Sequence, residues 1–257
     1  MAIHPSAIVD PGARIDPSAE IGPFCVVGDS VSIGARTRLK GHIFVEGPTT
    51  IGSDNLFYPF SSIGVASQDL KYEGEHAETH IGDHNLIREF VTVHRGTKGG
   101  GALTRVDDHT LLMAYSHVAH DCHVGSHVVL GHGATLGGHV DIGEYARVSA
   151  FVGVHQFCRI GAHSMIGGYA VITRDVMPFA TVSEEREAKM YRANSIGLER
   201  RGFAPECIEA INKAFRILRS EALLSDAIAR IRGEIPASDE IAQLVDFIER
   251  SERGFIK

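Results

Sequence analysis

Residues 118–142 read VAHDCHVGSHVVLGHGATLGGHVDI. Large aliphatic side chains stand at every sixth position: Val118, Val124, Leu130, Leu136 and Ile142. Compact ones, Cys122, Val128, Ala134 and Val140, follow four residues behind. Neither a helical period nor strict alternation produces a spacing of six. A short strand with one large and one small inward residue, closed by a tight corner, does. Three such units make a triangular coil of 18 residues. Stacked coils can pair their backbones along the axis, with neighbouring strands about 4.8 Å apart.

The pattern extends both ways. Steps of six from Ile3 land on Val9, Ile15, Ile21, Val27, Ile33, Leu39, Val45, Ile51, Phe57 and Ile63. The series lapses at Asp69 and Glu75 and returns at Ile81, Ile87 and Val93. It resumes at Val106, shifted by one residue, and runs to Ile172. A fixed short period over most of a chain marks a solenoid, in which each unit buries its apolar residues against the next. The sequence resembles the hexapeptide-repeat family, and that resemblance implies a left-handed parallel β-helix. Two stretches that break the period, 64–80 (GVASQDLKYEGEHAETH) and 97–105 (TKGGGALTR), are polar or glycine-rich and are expected to leave the prism as loops. Loops on a rigid scaffold commonly carry function.

After Met177-Pro178 the period changes. A charged connector, SEEREAKMYRANSIGLERRGF (183–203), precedes three helical patterns. Ile208, Ile211, Phe215 and Leu218 follow helical spacing, with Pro205 suited to a first turn. Leu223, Leu224, Ile228 and Ile231 make a second pattern, ended by Gly233 and Pro236. Ile241, Leu244, Val245 and Ile248 make a third, capped by Ser238 or Asp239. The expected fold class is therefore mainly β: a β-helix over 1–186 and a C-terminal α-helical domain over 187–257.

The bulk numbers exclude several functions. A net charge of −7 disfavours nonspecific nucleic-acid binding. No apolar run is long enough to span a bilayer. The opening MAIHPSAIVD lacks the basic flank and apolar core of a secretory leader. Four cysteines form no CxxC pair, so a reduced, cytoplasmic location is expected. Residues 186–219 hold eight Lys/Arg against four Asp/Glu. This local cationic excess on an acidic chain suggests an anionic partner.

The coil arithmetic sorts the histidines and cysteines. Cys25, Cys122 and Cys158 occupy the small inward position and read as core, not as ligands or nucleophiles. A carbonic-anhydrase class uses the same β-helix with three interface histidines. His127 and His132 match its H-x4-H spacing, but the upstream position in step with them is Val91. No metal is expected. Residues 18 apart share a column, which gives His120, Gly138 and Gln156, and beside it Asp121, His139 and Phe157. His117 and His155 lie close by. An imidazole next to a carboxylate can act as a general base near neutral pH. A bare Gly138 N–H one coil away can steady an oxyanion. The patch holds no activated serine or cysteine. Acyl transfer by direct attack of an acceptor hydroxyl is thus expected over a covalent acyl-enzyme.

Longer motifs go further than the fold. HVAHD at 117–121, VHQF at 154–157, GGH at 137–139, QDLKY at 68–72, VTVHRGT at 91–97 and GLERRGF at 197–203 together resemble bacterial UDP-N-acetylglucosamine acyltransferases, over nearly the whole chain. The resemblance implies transfer of a 3-hydroxyacyl chain from acyl carrier protein to the sugar 3-hydroxyl of UDP-N-acetylglucosamine, the first step of lipid A biosynthesis. It implies that His120 is the base, that Asp121 orients it and that the Gly138 N–H steadies the oxyanion. Asp69 and Lys71 would hold the acyl hydroxyl and substrate. His117, His139, His155 and Gln156 would meet the sugar nucleotide, and Asn194 and Arg200 would reach the nucleotide from a neighbouring subunit. Met165 and Gly168 would line the acyl groove. A homotrimer without cofactor is implied, its cationic patch facing the acidic carrier. The chain departs from the best-known members at Ile196, where they carry glutamate, and in the charged run SEEREAKMY. Some relatives acylate an amine at the sugar 3-position. A related N-acyltransferase group adds an N-terminal uridine-binding domain, for which hexads beginning at Ile3 leave no room. A non-catalytic carrier-binding prism is the remaining alternative.

Overall fold

The computed structural model describes residues 2–183 and 188–257. The expected domain boundary, between 186 and 187, and the charged core of the connector, 184–187, lie outside the described residues. The chain winds as a left-handed parallel β-helix with three sheets of eleven, nine and eight strands. The first sheet begins at Ala2–Ile3, the second at Ile8–Val9 and the third at Arg14–Ile15. Most strands have only two residues, because each side of the triangle is that short. Registers run straight down the stack: His117 pairs Thr135, which pairs Gly153, which pairs Val171. The hydrogen bonds run between coils, as from His117 N to the Ala134 carbonyl at 2.9 Å.

The sixth-residue aliphatics fill the prism, with Phe57, Ile63, Leu112, Val118, Leu130 and Leu136 wholly buried. Cys25, Cys122 and Cys158 are buried among them. Burial pushes the Cys122 thiol up to about 12 and the Cys158 thiol up to about 11, so neither is a nucleophile. The two excursions are shorter than the sequence implied. Strands Ser62–Val65 and Glu78–Ile81 bracket the first, and Thr92–His94 and Leu103–Val106 bracket the second. Both pairs step from the second sheet to the third, so both loops leave from the same edge of the prism.

The corners contain a feature that the hexad pattern conceals. Non-glycine residues take left-handed backbone there, among them Phe60, Phe90, Tyr115, Tyr145, Phe151, His163 and Tyr169. Such a conformation costs an L-residue roughly 1 kcal/mol. Here the aromatic rings stack from coil to coil. Phe60, Phe90 and Tyr115 form one column with centroids 5.1 and 4.7 Å apart. His109, His127, Tyr145 and His163 form another, spaced 4.8, 4.5 and 5.0 Å. His127 and His132 therefore belong to different corner stacks, and the H-x4-H pair does not converge.

Beyond the last coil, Ala180–Val182 extends the first sheet and Met190–Ala193 pairs with it antiparallel, an addition the hexads did not foreshadow. Four helices follow. The first, α1 (Ser195–Arg200), lies within the stretch read as connector. Then come α2 (Pro205–Ser220), α3 (Leu224–Glu234) and α4 (Asp239–Glu249). Pro205 stands in the first turn of α2, and Ser238 caps α4 by accepting from the Ile241 N–H at 3.3 Å. The tail is laced back to the prism, with Asp175 N donating to the Gly254 carbonyl at 2.9 Å.

His163 ends one stack, packed against Tyr145, Phe179 and Phe203. Among the described residues its Nδ1 is buried without a partner, and burial, aided by the Arg201 charge, pushes its pKa down to about 4. The unfolded chain takes up the proton near pH 6.5, so the stability held by neutral His163 is lost as pH falls from 6.5 toward 4. At pH 5 the loss is on the order of 2 kcal/mol. His163→Phe, which keeps the stack, is expected to lose correspondingly less stability than wild type between pH 7 and pH 5. Denaturant melts of both proteins at the two pH values measure the difference.

Candidate active site

The coil corner at 119–122 joins the second sheet to the third, directly beneath the two excursions. His120 is mostly buried there. Its Nδ1 lies 2.8 Å from Asp121 Oδ2, and the Asp121 side chain is fully buried. A carboxylate can only accept, so Nδ1 carries the proton and Nε2 keeps its lone pair. Asp69, on the first excursion, brings an oxygen to 3.9 Å from that Nε2. Its other oxygen accepts from the Lys71 N–H at 3.0 Å, and the Lys71 side chain is exposed.

One coil on, Gly138 lies against the His120 ring. A Cβ there would sit 2.5 Å from His120 Nε2, although the Gly138 backbone is in an ordinary conformation. Glycine is needed for space, not for its dihedrals. The same corner position in other coils holds Pro5, Pro11, Pro17, Pro23 and Pro59, which have no N–H, Ser53 and Asp83, whose N–H groups donate to aspartate carboxylates, or Glu144, Ala150 and Gln156, whose N–H groups meet no acceptor among the described residues. Among the described residues none accepts from the Gly138 N–H. What sets Gly138 apart is the His120 ring packed against it.

His139 stacks on Phe157 at 4.4 Å and stands edge-on to His120 at 5.0 Å, with Nε2 3.9 Å from Asp121 Oδ2. Burial holds His139 below the ordinary histidine range, against the pull of Asp121. His117 is held down too, first by burial and then by the His120 charge. Both are neutral hydrogen-bonding groups at pH 7. Thr92 Oγ1 lies 2.7 Å from His117 Nδ1 and fixes the ring. His155 and Gln156 are exposed at the same edge, with His155 Nδ1 3.0 Å from the Gln156 carbonyl oxygen.

The remaining residues singled out from the sequence lie elsewhere on this chain. Met165 is on the first sheet and Gly168 at the corner that follows it. A Cβ on Gly168 would meet only the Ala150 carbonyl oxygen, at 3.3 Å. Asn194 caps α1: its Oδ1 accepts from Gly197 N at 3.3 Å and its Nδ2 donates to the His163 carbonyl at 2.9 Å. Arg200 ends α1 and is exposed. Asn194 touches His163 and Arg201 donates to the Tyr145 carbonyl, so α1 lies on the corner between third and first sheets. His120 stands at another corner.

Sequence reasoning gave no role to Thr92, His94, Thr97 and Thr104. His94 is buried edge-on against His117 at 4.8 Å, and burial, with the charges of His117 and His120, pushes its pKa down to about 4. Thr92 and His117 are paired neighbours but 25 residues apart. The excursion breaks the 18-residue arithmetic that would have aligned them. Their only signal was the motif VTVHRGT.

His120, Asp121 and His139 bring donor atoms within 4.8 Å of one another, a spacing that could suit a metal ion. The Asp121 oxygens, however, already accept from Thr97 N, Thr97 Oγ1 and His120 Nδ1. That arrangement is a base held by a carboxylate.

Comparison with known proteins agrees with this geometry. The chain superposes on LpxA of Acinetobacter baumannii with TM-score 0.97 and 41% identity over the whole of both chains. The chain belongs to the UDP-N-acetylglucosamine acyltransferase family. LpxA of Bacteroides fragilis 9343, a UDP-N-acetylglucosamine acyltransferase, matches at TM-score 0.97 and 40% identity over 99% of this chain and all of its own. The Francisella novicida UDP-N-acetylglucosamine acyltransferase matches at 0.94 and 38%, over 99% of this chain and 93% of its own. The family description "Udp N-acetylglucosamine O-acyltransferase; Domain 2" matches residues 175–256, and "Bacterial transferase hexapeptide (six repeats)" matches 104–138. Membership in this acyltransferase family accounts for the prism and the helical tail together.

The close approach at Gly138 can be tested without substrate. Gly138→Ala is expected to keep the coil, with stability changed by about 1 kcal/mol, and to displace the His120 ring. Histidine NMR resonances and a crystal structure of the variant would reveal an unmoved ring if the approach is looser than described.

Proposed function

We propose that this chain transfers a 3-hydroxyacyl group from the thioester of an acyl carrier protein to the 3-hydroxyl of UDP-N-acetylglucosamine, opening lipid A biosynthesis. The observation that carries the proposal is the His120–Asp121 pair facing the free Gly138 N–H, in a chain of this family. His120 Nε2 takes the proton of the sugar hydroxyl as that oxygen attacks the thioester carbon. The Gly138 N–H stabilises the oxyanion of the tetrahedral intermediate. Its collapse breaks the C–S bond, and the proton on His120 passes to the departing thiolate. Asp121 keeps the imidazole oriented and stabilises its charged form.

Asp69 receives the acyl 3-hydroxyl, with Lys71 beside it. His117, His139, His155 and Gln156 bind the sugar nucleotide. Asn194 and Arg200 reach it from a second chain, with Asn194 using the amide hydrogen its capping leaves over. Met165 and Gly168 line the acyl groove. A crevice at the end of the second sheet, lined by Arg174, Lys189 and Lys257, offers cationic charge to an acidic carrier. Among the described residues no helix is long and apolar enough to cross a membrane. A nucleotide sugar and a carrier-bound acyl chain are cytoplasmic substrates, and we assign the reaction to that compartment.

The differences between the three faces support a trimer. The third sheet points Arg105, His123, Asp141 and Arg159 outward. The first points Leu56, Leu86, Leu111 and Val129 outward, and the edge between first and second exposes Phe60, Phe90 and Tyr115. Exposed apolar surface on this scale is an interface. Three prisms set with those edges toward a common axis would bury them. Triangular corners do not fill a full turn, so clefts remain between the second sheet of one chain and the first sheet of the next. His120 lies on the outer rim of one wall, and α1 of the neighbour lies on the outer rim of the other.

His120→Ala is expected to fold and assemble but to lose roughly 10²–10⁴-fold in turnover, measured as product formed from UDP-N-acetylglucosamine and a 3-hydroxyacyl carrier protein. Arg200→Ala is expected to be weak as well. Trimers reassembled from a mixture of the two variants should recover activity, because some sites then join an intact His120 to an intact Arg200. Mixtures no more active than their parts would remove the shared site.

Donor length tests the groove. The ordinary backbone and open surroundings of Gly168 leave room for a side chain there. Wild type is expected to prefer long 3-hydroxyacyl donors, and Gly168→Met to shift the preference toward short ones. With about 0.8 kcal/mol for each buried methylene, excluding a few changes the ratio of kcat/KM between long and short donors by orders of magnitude. An unchanged ratio in a folded variant would show that Gly168 does not measure the chain.

A further inference from the structure

Thr97 stands at the foot of the second excursion, where the hexad pattern has lapsed. Both of its donors go to one carboxylate. Thr97 N donates to Asp121 Oδ1 at 2.8 Å and Thr97 Oγ1 donates to Asp121 Oδ2 at 2.5 Å. Thr104, just beyond the excursion, accepts from the Asp121 N–H at 2.8 Å. Gly100, on the same loop, packs so closely that a Cβ there would overlap the Asp121 side chain. The excursion is folded around Asp121.

The oxygen that takes the Thr97 hydroxyl is also the one that holds His120 Nδ1. It has a second imidazole within reach, since His139 Nε2 is 3.9 Å away. Rotation of the carboxyl group away from His120 would release the Nδ1–H. The two bonds from Thr97 oppose that rotation, because its backbone N–H and hydroxyl engage the two oxygens separately. The loop is also tied to the other excursion: Lys98 N donates to Glu75 Oε1 at 3.1 Å. That bond, with others from the backbone, holds the Glu75 carboxyl below its usual range. Asp69, near His120 Nε2, hangs from the same first excursion.

We infer that Thr97 is a positioning residue for acyl transfer, clamping the Asp121 carboxylate so that His120 keeps its proton on Nδ1 and presents Nε2 to the acceptor hydroxyl. The inference rests on the acyl-transfer reading of the site. Thr97 itself touches no reacting atom. Supporting groups of this kind commonly change activity by 10–100-fold.

The test compares Thr97→Val, Thr97→Ala and Thr97→Ser. Val and Ala are expected to lower kcat by roughly 10–100-fold with little change in KM for either substrate. Ser, which restores the hydroxyl, is expected to retain most turnover. In an Asp121→Asn background Thr97→Val should add little further loss, because both changes act through one bond. The substrate-free protein supplies an independent readout: the low-field Nδ1–H resonance of His120 should shift or vanish in the Val and Ala variants and persist in Ser. Equal losses in all three, full additivity with Asp121→Asn, or an unchanged His120 resonance in Val and Ala would each overturn the inference. If the resonance responds but wild type transfers no acyl group to UDP-N-acetylglucosamine, the positioning of the pair stands and the acyl-transfer reading falls.

Discussion

Apart from short corner bonds such as Ala134 N to the Gly131 carbonyl, each coil of this protein satisfies its backbone through the coils above and below it. A bond such as His117 N to the Ala134 carbonyl has no equivalent within a coil. Unpaired buried backbone groups are costly, so the three short sides must stay in register over the whole stack, and the chain must turn sharply at every corner. The corners adopt left-handed backbone, which L-residues accept only at a cost. Columns of stacked rings offset that cost along two edges. The third edge, at Asp121, His139 and Phe157, follows the same rule with one exchange. A carboxylate stands where a ring would otherwise be. A left-handed corner thus holds the Asp121 carboxylate against the His120 ring.

The same ladder bears on the Gly138 corner. A corner N–H that meets no carbonyl has to be removed, capped or left for something else. Proline removes it near the N-terminus, and aspartate side chains cap it at Ser53 and Asp83. At Gly138 neither happens, and the missing side chain gives the His120 ring its place. Both excursions leave the prism from this one edge. They carry Asp69 and Thr97 to the opposite sides of His120 and Asp121 from the coil itself. A rigid ladder supplies the base and the N–H donor, and two breaks in it supply their supports.

The three faces of the prism are not equivalent. Charge on the third sheet keeps it in water. Aliphatic side chains on the first sheet, and aromatic ones on the edge between first and second, call for burial. Asn194 and Arg200 sit at a different corner from His120. The helical tail, laced to the last coil through Asp175, fixes α1 at that corner.

Composition and period determined much of this protein unaided. A six-residue repeat admits one architecture, so inward residues, buried cysteines and the column of His120, Gly138 and Gln156 could all be read from spacing. The helices at 205–220, 224–234 and 239–249 were legible from apolar periodicity and caps. The tertiary structure decided what spacing cannot carry. Thr97, Thr92 and His94 join the site across an excursion of irregular length, which destroys the counting by 18. The corner stacks, the antiparallel strand at 190–193 and the short α1 depend on contacts between distant residues, and no local period records them. The separation of His127 from His132 was likewise invisible: five residues along the chain, they sit on two different edges because one side of the triangle, the strand Val129–Leu130, lies between them.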